Sequence, residues 1–271
     1  MLSCRLRSAR RPARVKDGHL GHCMPQWWSA NWKNRLVFGA RHPTYAIKSV
    51  VRDLLAADER FLAALTGTTT AEIRQFLGEP FRDGRFYEHL RGAGKEFGEA
   101  SSIGADLYAK RVVMQYAVIR AVRPDCVLET GVANGVSSAY LLLAMGRNQK
   151  GALHSIDVND GSFLPQGRQV GWIVPEWLRG RWSLHLGDAS QLLPSVVREL
   201  KSLDVFIHDS LHTYEHMKFE YEEAYPFIRQ GGVLISDDVL WNSAFPEFRD
   251  AVGAPTASIL RGIGFLQKPA A

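Results

Sequence analysis

Cysteine is scarce in this chain. Cys4, Cys23 and Cys126 are the only three, odd in number and far apart. That excludes a disulfide framework and a cysteine zinc cluster, and it predicts a reducing, cytoplasmic setting. Long apolar runs are missing too. No stretch reaches the ~18 consecutive apolar residues that a membrane span needs. Acid is nearly absent from the first fifty residues, where Asp17 stands against ten Lys and Arg. The segment is therefore at +9 and the remainder at −4, so the positive charge of the chain belongs to one arm. That arm also lacks the apolar core of a secretory signal. Residues 1–24 are expected to be a disordered basic leader. A basic arm can touch nucleic acid or anionic lipid. The body carries no basic stripe, which counts against nucleic acid as a partner.

What is present divides the chain near residue 103. Residues 25–102 are expected to form an N-terminal helical extension. Within it, Tyr45 to Leu65 has helical spacing, and Thr70 is placed to cap a short helix through Leu77. Gly78 to Ser102, with five glycines and many charges, reads as loop. Leu107 to Val122 is a helix stopped by Arg123-Pro124-Asp125. From there short apolar strands alternate with helices. The strands are Cys126–Glu129, Ala152–Asp157, Ser183–Leu186, Val205–His208, Val233–Ser236 and Ile263–Gln267. The helices are Ser137–Met145, one within Ala189–Leu200, and Tyr214–Arg229. Such alternation predicts an α/β domain over residues 103–271, with a Rossmann-like, mostly parallel sheet and helices on both faces.

A further lack concerns glycine. Nicotinamide-binding folds carry G-x-G-x-x-G after their first strand. The segment VLETGVANGVSSAYLLLAM, Val127 to Met145, has Gly131 and Gly135 but Ala133 between them. Glu129 precedes the turn, and an acid there would repel a pyrophosphate. That favours a cofactor with a positive charge and no phosphate, and it disfavours the competing reading, a nicotinamide-dependent oxidoreductase. Asp157 ends the second strand, where a carboxylate can accept both hydroxyls of a ribose. Asp188 ends the third in LHLGDAS, where it can accept from an adenine amino group.

These residues, in this order, resemble the binding motifs of class I S-adenosylmethionine-dependent methyltransferases. The resemblance covers roughly residues 103–268 and implies a seven-stranded sheet with the last strand antiparallel. It implies a donor held by Glu129, Gly131, Val132, Gly135, Ser137, Asp157, Asp188 and Ala189, with Glu129 facing the methionine amino group.

A second constellation follows. The strand FIH ends in Asp209, and VLIS ends in Asp237 and Asp238. Carboxylates at the tips of neighbouring parallel strands converge on the ligand-binding edge of an open sheet. Three of them suit Mg²⁺ or another hard divalent ion, and without a cation they would raise one another's pKa. His212, three residues past Asp209, can be aimed at the same pocket. The D-x-x-H with an acid pair 28 residues after its Asp resembles metal-dependent O-methyltransferases of small molecules, especially those acting on antibiotic sugars. That resemblance implies Asp209, Asp237 and Asp238 as metal ligands and His212 as general base. Asp237 is a mild departure, since some relatives have Glu there. His208 is expected to point away from the site. Asp160 to Trp182 has the length of a lid. Its Trp172, Trp177 and Trp182 could stack on an acceptor or cover the sheet, and Arg168, Arg179 and Arg181 could read an anionic group. The expected partner is a small hydroxylated acceptor, and the aromatic N-terminal region could also serve a homo-oligomer.

Overall fold

The computed structural model describes residues 56–97, 107–158, 161 and 164–270. The leader, the QWWSANW segment and the first part of Tyr45–Leu65 lie outside the described residues. Three helices come first: α1 (Ala57–Thr66), α2 (Thr70–Arg82) and α3 (Gly84–Phe97). Helix α4 (Lys110–Val122) leads into the sheet domain. Strands and helices then alternate as β1 (Cys126–Thr130), α5 (Val136–Asn148), β2 (Ala152–Asp157), β3 (Trp182–Leu186), α6 (Ala189–Leu200), β4 (Leu203–His208), α7 (Tyr214–Ala224) and β5 (Ile228–Ser236). Helix α8 (Ala244–Ala251), β6 (Ala257–Leu260) and β7 (Ile263–Gln267) close the chain.

The seven strands form one sheet in the order β3-β2-β1-β4-β5-β7-β6. The first five are parallel, and β7 runs antiparallel to both β5 and β6. Side chains alternate faces along each strand, and the packing follows. Val127, Leu153, Val205, Ile207, Val233, Ile235 and Phe265 join a core built with α1 to α5. Leu128, Ile156, Phe206, Leu234 and Leu266 join a second core with α6, α7 and α8. The N-terminal helices thus share one core with the sheet. Among the described residues no helix is long and apolar enough to cross a membrane.

Gly78 to Ser102 is not a loop as far as Phe97. Helices α2 and α3 run through it, because Phe86, Leu90 and Ala93 fall on one buried face at helical spacing. The Asp83 carboxylate starts α3 by accepting from the Phe86 N–H at 3.0 Å. Helix α2 is longer than expected and is capped by Thr69 rather than Thr70. Thr69 and Glu72 form a reciprocal capping box. Glu79, buried near the end of α2, accepts from the Tyr116 hydroxyl at 2.6 Å and from Arg120 Nε at 2.7 Å, which clamps α2 to α4. The fifth strand begins at Ile228 rather than at the expected Val233, so Gly231 and Gly232 lie inside it. Helix α7 is correspondingly shorter than Tyr214–Arg229, ending at Ala224 before a short 3-10 turn, Tyr225–Phe227.

Candidate active site

The tips of β1 to β5 bring the predicted site residues to one edge of the sheet. The turn after β1 is built on two left-handed glycines, Gly131 (φ 83°) and Gly135 (φ 85°). A Cβ at Gly131 would lie 2.0 Å from the backbone oxygen of Asp209, and one at Gly135 would lie 2.7 Å from Gly171 Cα. Neither position has room for another residue. Ala133 also has a positive φ of 45°. Asp157, at the tip of β2, steadies that conformation. Its Oδ2 accepts from the backbone N–H groups of Val132 (2.8 Å) and Ala133 (2.9 Å).

Glu129 is fully buried. Its carboxylate accepts from three hydroxyls, Ser137 at 2.8 Å, Ser138 at 2.7 Å and Ser155 at 2.9 Å. Burial nonetheless pushes its pKa up, because the hydroxyls replace only part of the lost water. The acid therefore stands behind the turn, joined to the start of α5 through Ser137 and Ser138. Asp188 caps α6, its Oδ1 accepting from Ser190 N at 2.7 Å. Its exposed side chain stands one strand over from Asp157, and Ala189 is buried directly behind it.

At the tips of β4 and β5 the acids meet. His212 Nε2 lies 3.7 Å from Asp209 Oδ1 and 3.8 Å from Asp238 Oδ2, too long for hydrogen bonds but on one locus. Arg111, from the first turn of α4, reaches Asp237 Oδ2 at 3.4 Å. Asp238 itself is left-handed (φ 49°) and donates its N–H to Asp237 Oδ1 at 3.0 Å. Such a conformation in a non-glycine residue is strained and is a frequent mark of functional turns. Burial, with Asp237 and Asp238 beside it, raises the Asp209 carboxyl well above its usual range. Burial, with the neighbouring His208, pushes His212 down to about 4. At neutral pH its imidazole is neutral and can accept a proton.

The carboxylate-rich set has the chemistry of a hard-cation site. Among the described residues, however, no three His, Cys, Asp or Glu are gathered as a formed metal site. Arg111 is the cation that faces Asp237.

From residue 168 to residue 182 the lid segment is tied down rather than free. Gly171 N and Ile173 N donate to the carbonyls of Ala133 (2.8 Å) and Asn134 (3.0 Å), so the segment lies along the glycine turn. Trp172 Nε1 donates to Asn134 Oδ1, and Trp182 Nε1 to Ser155 Oγ. Trp177 packs against His89 and under Arg85 of α3. Arg179 and Arg181 donate to the carbonyls of Gly171 and Gly151, and Arg168 pairs with Glu96. A cavity of ≈ 360 Å³ between α3 and this segment includes Glu88, His89, Arg168 and Trp172, but none of the residues expected to hold the donor or the metal or to take the proton.

Two features were missed from the sequence. Trp241, 60% exposed, meets the His212 ring edge-on with centroids 5.3 Å apart, beside exposed Leu240 and near exposed Leu211. Its only signal was an aromatic three residues past an acid pair. His208 does not point away. Its buried ring meets His212 edge-on at 5.3 Å, and its Nδ1 pairs with buried Glu220 at 2.6 Å.

Residues 128–239, from β1 to just past β5, match a family described as a methyltransferase domain. No curated protein matches the chain. Solved structures similar to it include CalS11, a TDP-rhamnose 3'-O-methyltransferase of calicheamicin biosynthesis. It is 19% identical over 73% of this chain and 94% of its own, with a TM-score of 0.47. The MycE methyltransferase of the mycinamycin pathway, in complex with Mg and SAH, is 16% identical over 67% and 54%, with a TM-score of 0.43. The SAH-bound methyltransferase PaMTH1 of Podospora anserina is 12% identical over 68% and 87%, with a TM-score of 0.48.

Proposed function

We propose that this chain is a class I S-adenosylmethionine-dependent methyltransferase and that it moves the donor's methyl group to a hydroxyl oxygen of a small molecule, a sugar or another secondary metabolite. The observation that carries the acceptor half is His212. It is a half-buried, neutral imidazole whose Nε2 faces two carboxylates across gaps of 3.7 and 3.8 Å. An acceptor hydroxyl placed there would give its proton to Nε2 as its oxygen bonds to the methyl carbon and the carbon–sulfur electron pair stays with sulfur. Bound S-adenosylmethionine supplies a methyl group already made electrophilic by the sulfonium, so the protein's task is alignment.

The donor side is assigned to Gly131, Val132, Gly135, Asp157, Asp188 and Ala189. The two left-handed glycines let the turn pack directly on the Asp209 and Gly171 backbone, and Asp157 and Asp188 stand side by side where a nucleoside's hydroxyls and base could meet them. Glu129 and Ser137 support the turn from behind. Exposed Trp241 offers a flat face for the acceptor beside the base.

The same reading places a divalent cation, Mg²⁺ or a similar ion, on Asp209, Asp237 and Asp238. The support is electrostatic, because Asp209 stands half-buried beside Asp237 and Asp238, like charges that a cation would relieve. Such an ion would lower the pKa of the acceptor hydroxyl and orient its oxygen.

Methyl-labelled S-adenosylmethionine, supplied with a panel of hydroxylated glycosides and phenols, tests the proposal. Label should pass to an ether oxygen of at least one acceptor. Transfer only to nitrogen or carbon acceptors would overturn the hydroxyl assignment. Exhaustive chelation should abolish transfer, and Mg²⁺ or Mn²⁺ should restore it. Full activity in enzyme shown by elemental analysis to be metal-free would remove the cation and leave the methyl transfer standing.

A further inference from the structure

Behind the acid edge sits a carboxylate that the proposed reaction does not use. Glu220, on α7, is fully buried. It accepts from Thr130 Oγ1 at the tip of β1 (2.5 Å), His208 Nδ1 at the tip of β4 (2.6 Å), Ser210 Oγ in the next loop (2.7 Å) and His216 Nε2 (2.9 Å). Those donors hold it ionised, down at about 2. An ionised carboxylate only accepts, so His208 Nδ1 must carry the hydrogen that it gives to Glu220. In the neutral ring His208 Nε2 is then a bare acceptor.

That nitrogen is buried and has no hydrogen-bond partner, and His212 Nδ1 is likewise buried and without one. Buried polar nitrogens are rarely left unsatisfied. The two rings meet at right angles with centroids 5.3 Å apart. As placed the two nitrogens do not bond each other, and a separation of that size leaves a bridging water or a small ring rotation to join them.

We infer that Glu220 and His208 are positioning residues that set the tautomer of His212. The chain runs from the Glu220 carboxylate to His208 Nδ1–H, and from His208 Nε2 to the hydrogen on His212 Nδ1. With its hydrogen fixed on Nδ1, His212 presents an unprotonated Nε2 to Asp209 and Asp238, where the acceptor hydroxyl is placed. The inference rests on the reading of His212 as the base, and the experiment separates the two.

Nitrogen-15 spectra of histidine-labelled enzyme should show the His212 hydrogen on Nδ1. His208→Phe keeps an aromatic ring but removes both nitrogens. It should shift the His212 hydrogen toward Nε2 and lower kcat roughly 10- to 100-fold, with KM for donor and acceptor unchanged. His208→Gln retains an amide N–H for Glu220 and an amide oxygen for His212, so it should recover most of the lost kcat. A purely structural role for His208 would not distinguish these variants in kcat alone. A wild-type His212 hydrogen on Nε2, or an unchanged kcat in His208→Phe, would overturn the relay. If His212→Ala is inactive while His208→Phe is fully active, the relay fails and the base stands. If His212→Ala keeps full activity, the base assignment itself fails.

Discussion

The turn after β1 and the tips of β4 and β5 lie on the same sheet edge and treat their polar groups in opposite ways. Around the turn the acids are taken up by the protein. Glu129 has three serine hydroxyls, and Asp157 holds two backbone N–H groups. At the β4 and β5 tips, three aspartates crowd together, Asp209 is raised, and two histidine nitrogens are buried without partners. Satisfied groups stiffen a scaffold. Crowded or unsatisfied ones are stable only where something else completes them, which is the usual mark of the place where chemistry happens. Under the proposed function, the turn is a preformed cradle for the donor and the acid edge is a site completed by ligand.

The comparison can be broken most severely at Gly131. Gly131→Ala would force a Cβ against the Asp209 backbone at 2.0 Å and burden a left-handed residue. A loss of roughly 2–4 kcal/mol in unfolding free energy is expected, with donor binding impaired. Urea unfolding and calorimetry measure the two, and a fully stable variant with normal donor affinity would show the turn to be adaptable.

Acid should act through Glu220. Its pKa is about 2 in the fold against an ordinary 4.5. As pH falls the unfolded chain takes up that proton first. The stabilisation is therefore full above about 4.5 and is lost as pH falls toward about 2. Between about pH 5 and pH 2.5, wild type should lose on the order of 2 kcal/mol more stability than Glu220→Gln. Parallel urea titrations at the two pH values test this, and equal losses would mean the four donors do not hold the charge.

Asp157→Ala sharpens the cradle side. It removes the acceptor of two turn N–H groups along with the proposed ribose contact, and should weaken S-adenosylmethionine at least about tenfold. An unchanged Kd in folded protein would take Asp157 out of the donor site. Trp241→Ala sharpens the other side and should have the smallest effect. It should raise acceptor KM by up to about tenfold, the value of one ring contact, while donor Kd stays as it was. A change in donor Kd instead would move Trp241 to the cradle.

How far the sequence alone reaches follows the same division. Buried strands are short runs bounded by turns, so β2 and β7 were legible to the residue. The acids Glu129, Asp157, Asp188, Asp209, Asp237 and Asp238 were legible as strand-end groups that gather at one edge. Their partners were not, because those come from distant elements. Nothing in YEHMKFEYEEA separates Glu220 from Glu215, Glu222 or Glu223 until Thr130, His208 and Ser210 are seen to converge on it. Helix α3 was hidden by its glycines, although Phe86, Leu90 and Ala93 already carried its period. The short strand β6 offered only ASIL, too little to declare itself before its pairing with β7.

The division of labour between the two regions is tested most directly by His212→Ala in single-turnover methyl transfer, using an acceptor from the labelled panel and with donor affinity measured on the same preparation. The expected result is an S-adenosylmethionine Kd within about twofold of wild type and a transfer rate roughly 10²–10⁴ lower, the range for loss of a positioned general base. An unchanged transfer rate, or a loss of donor binding along with it, would contradict the assignment of cradle and acid edge to separate tasks.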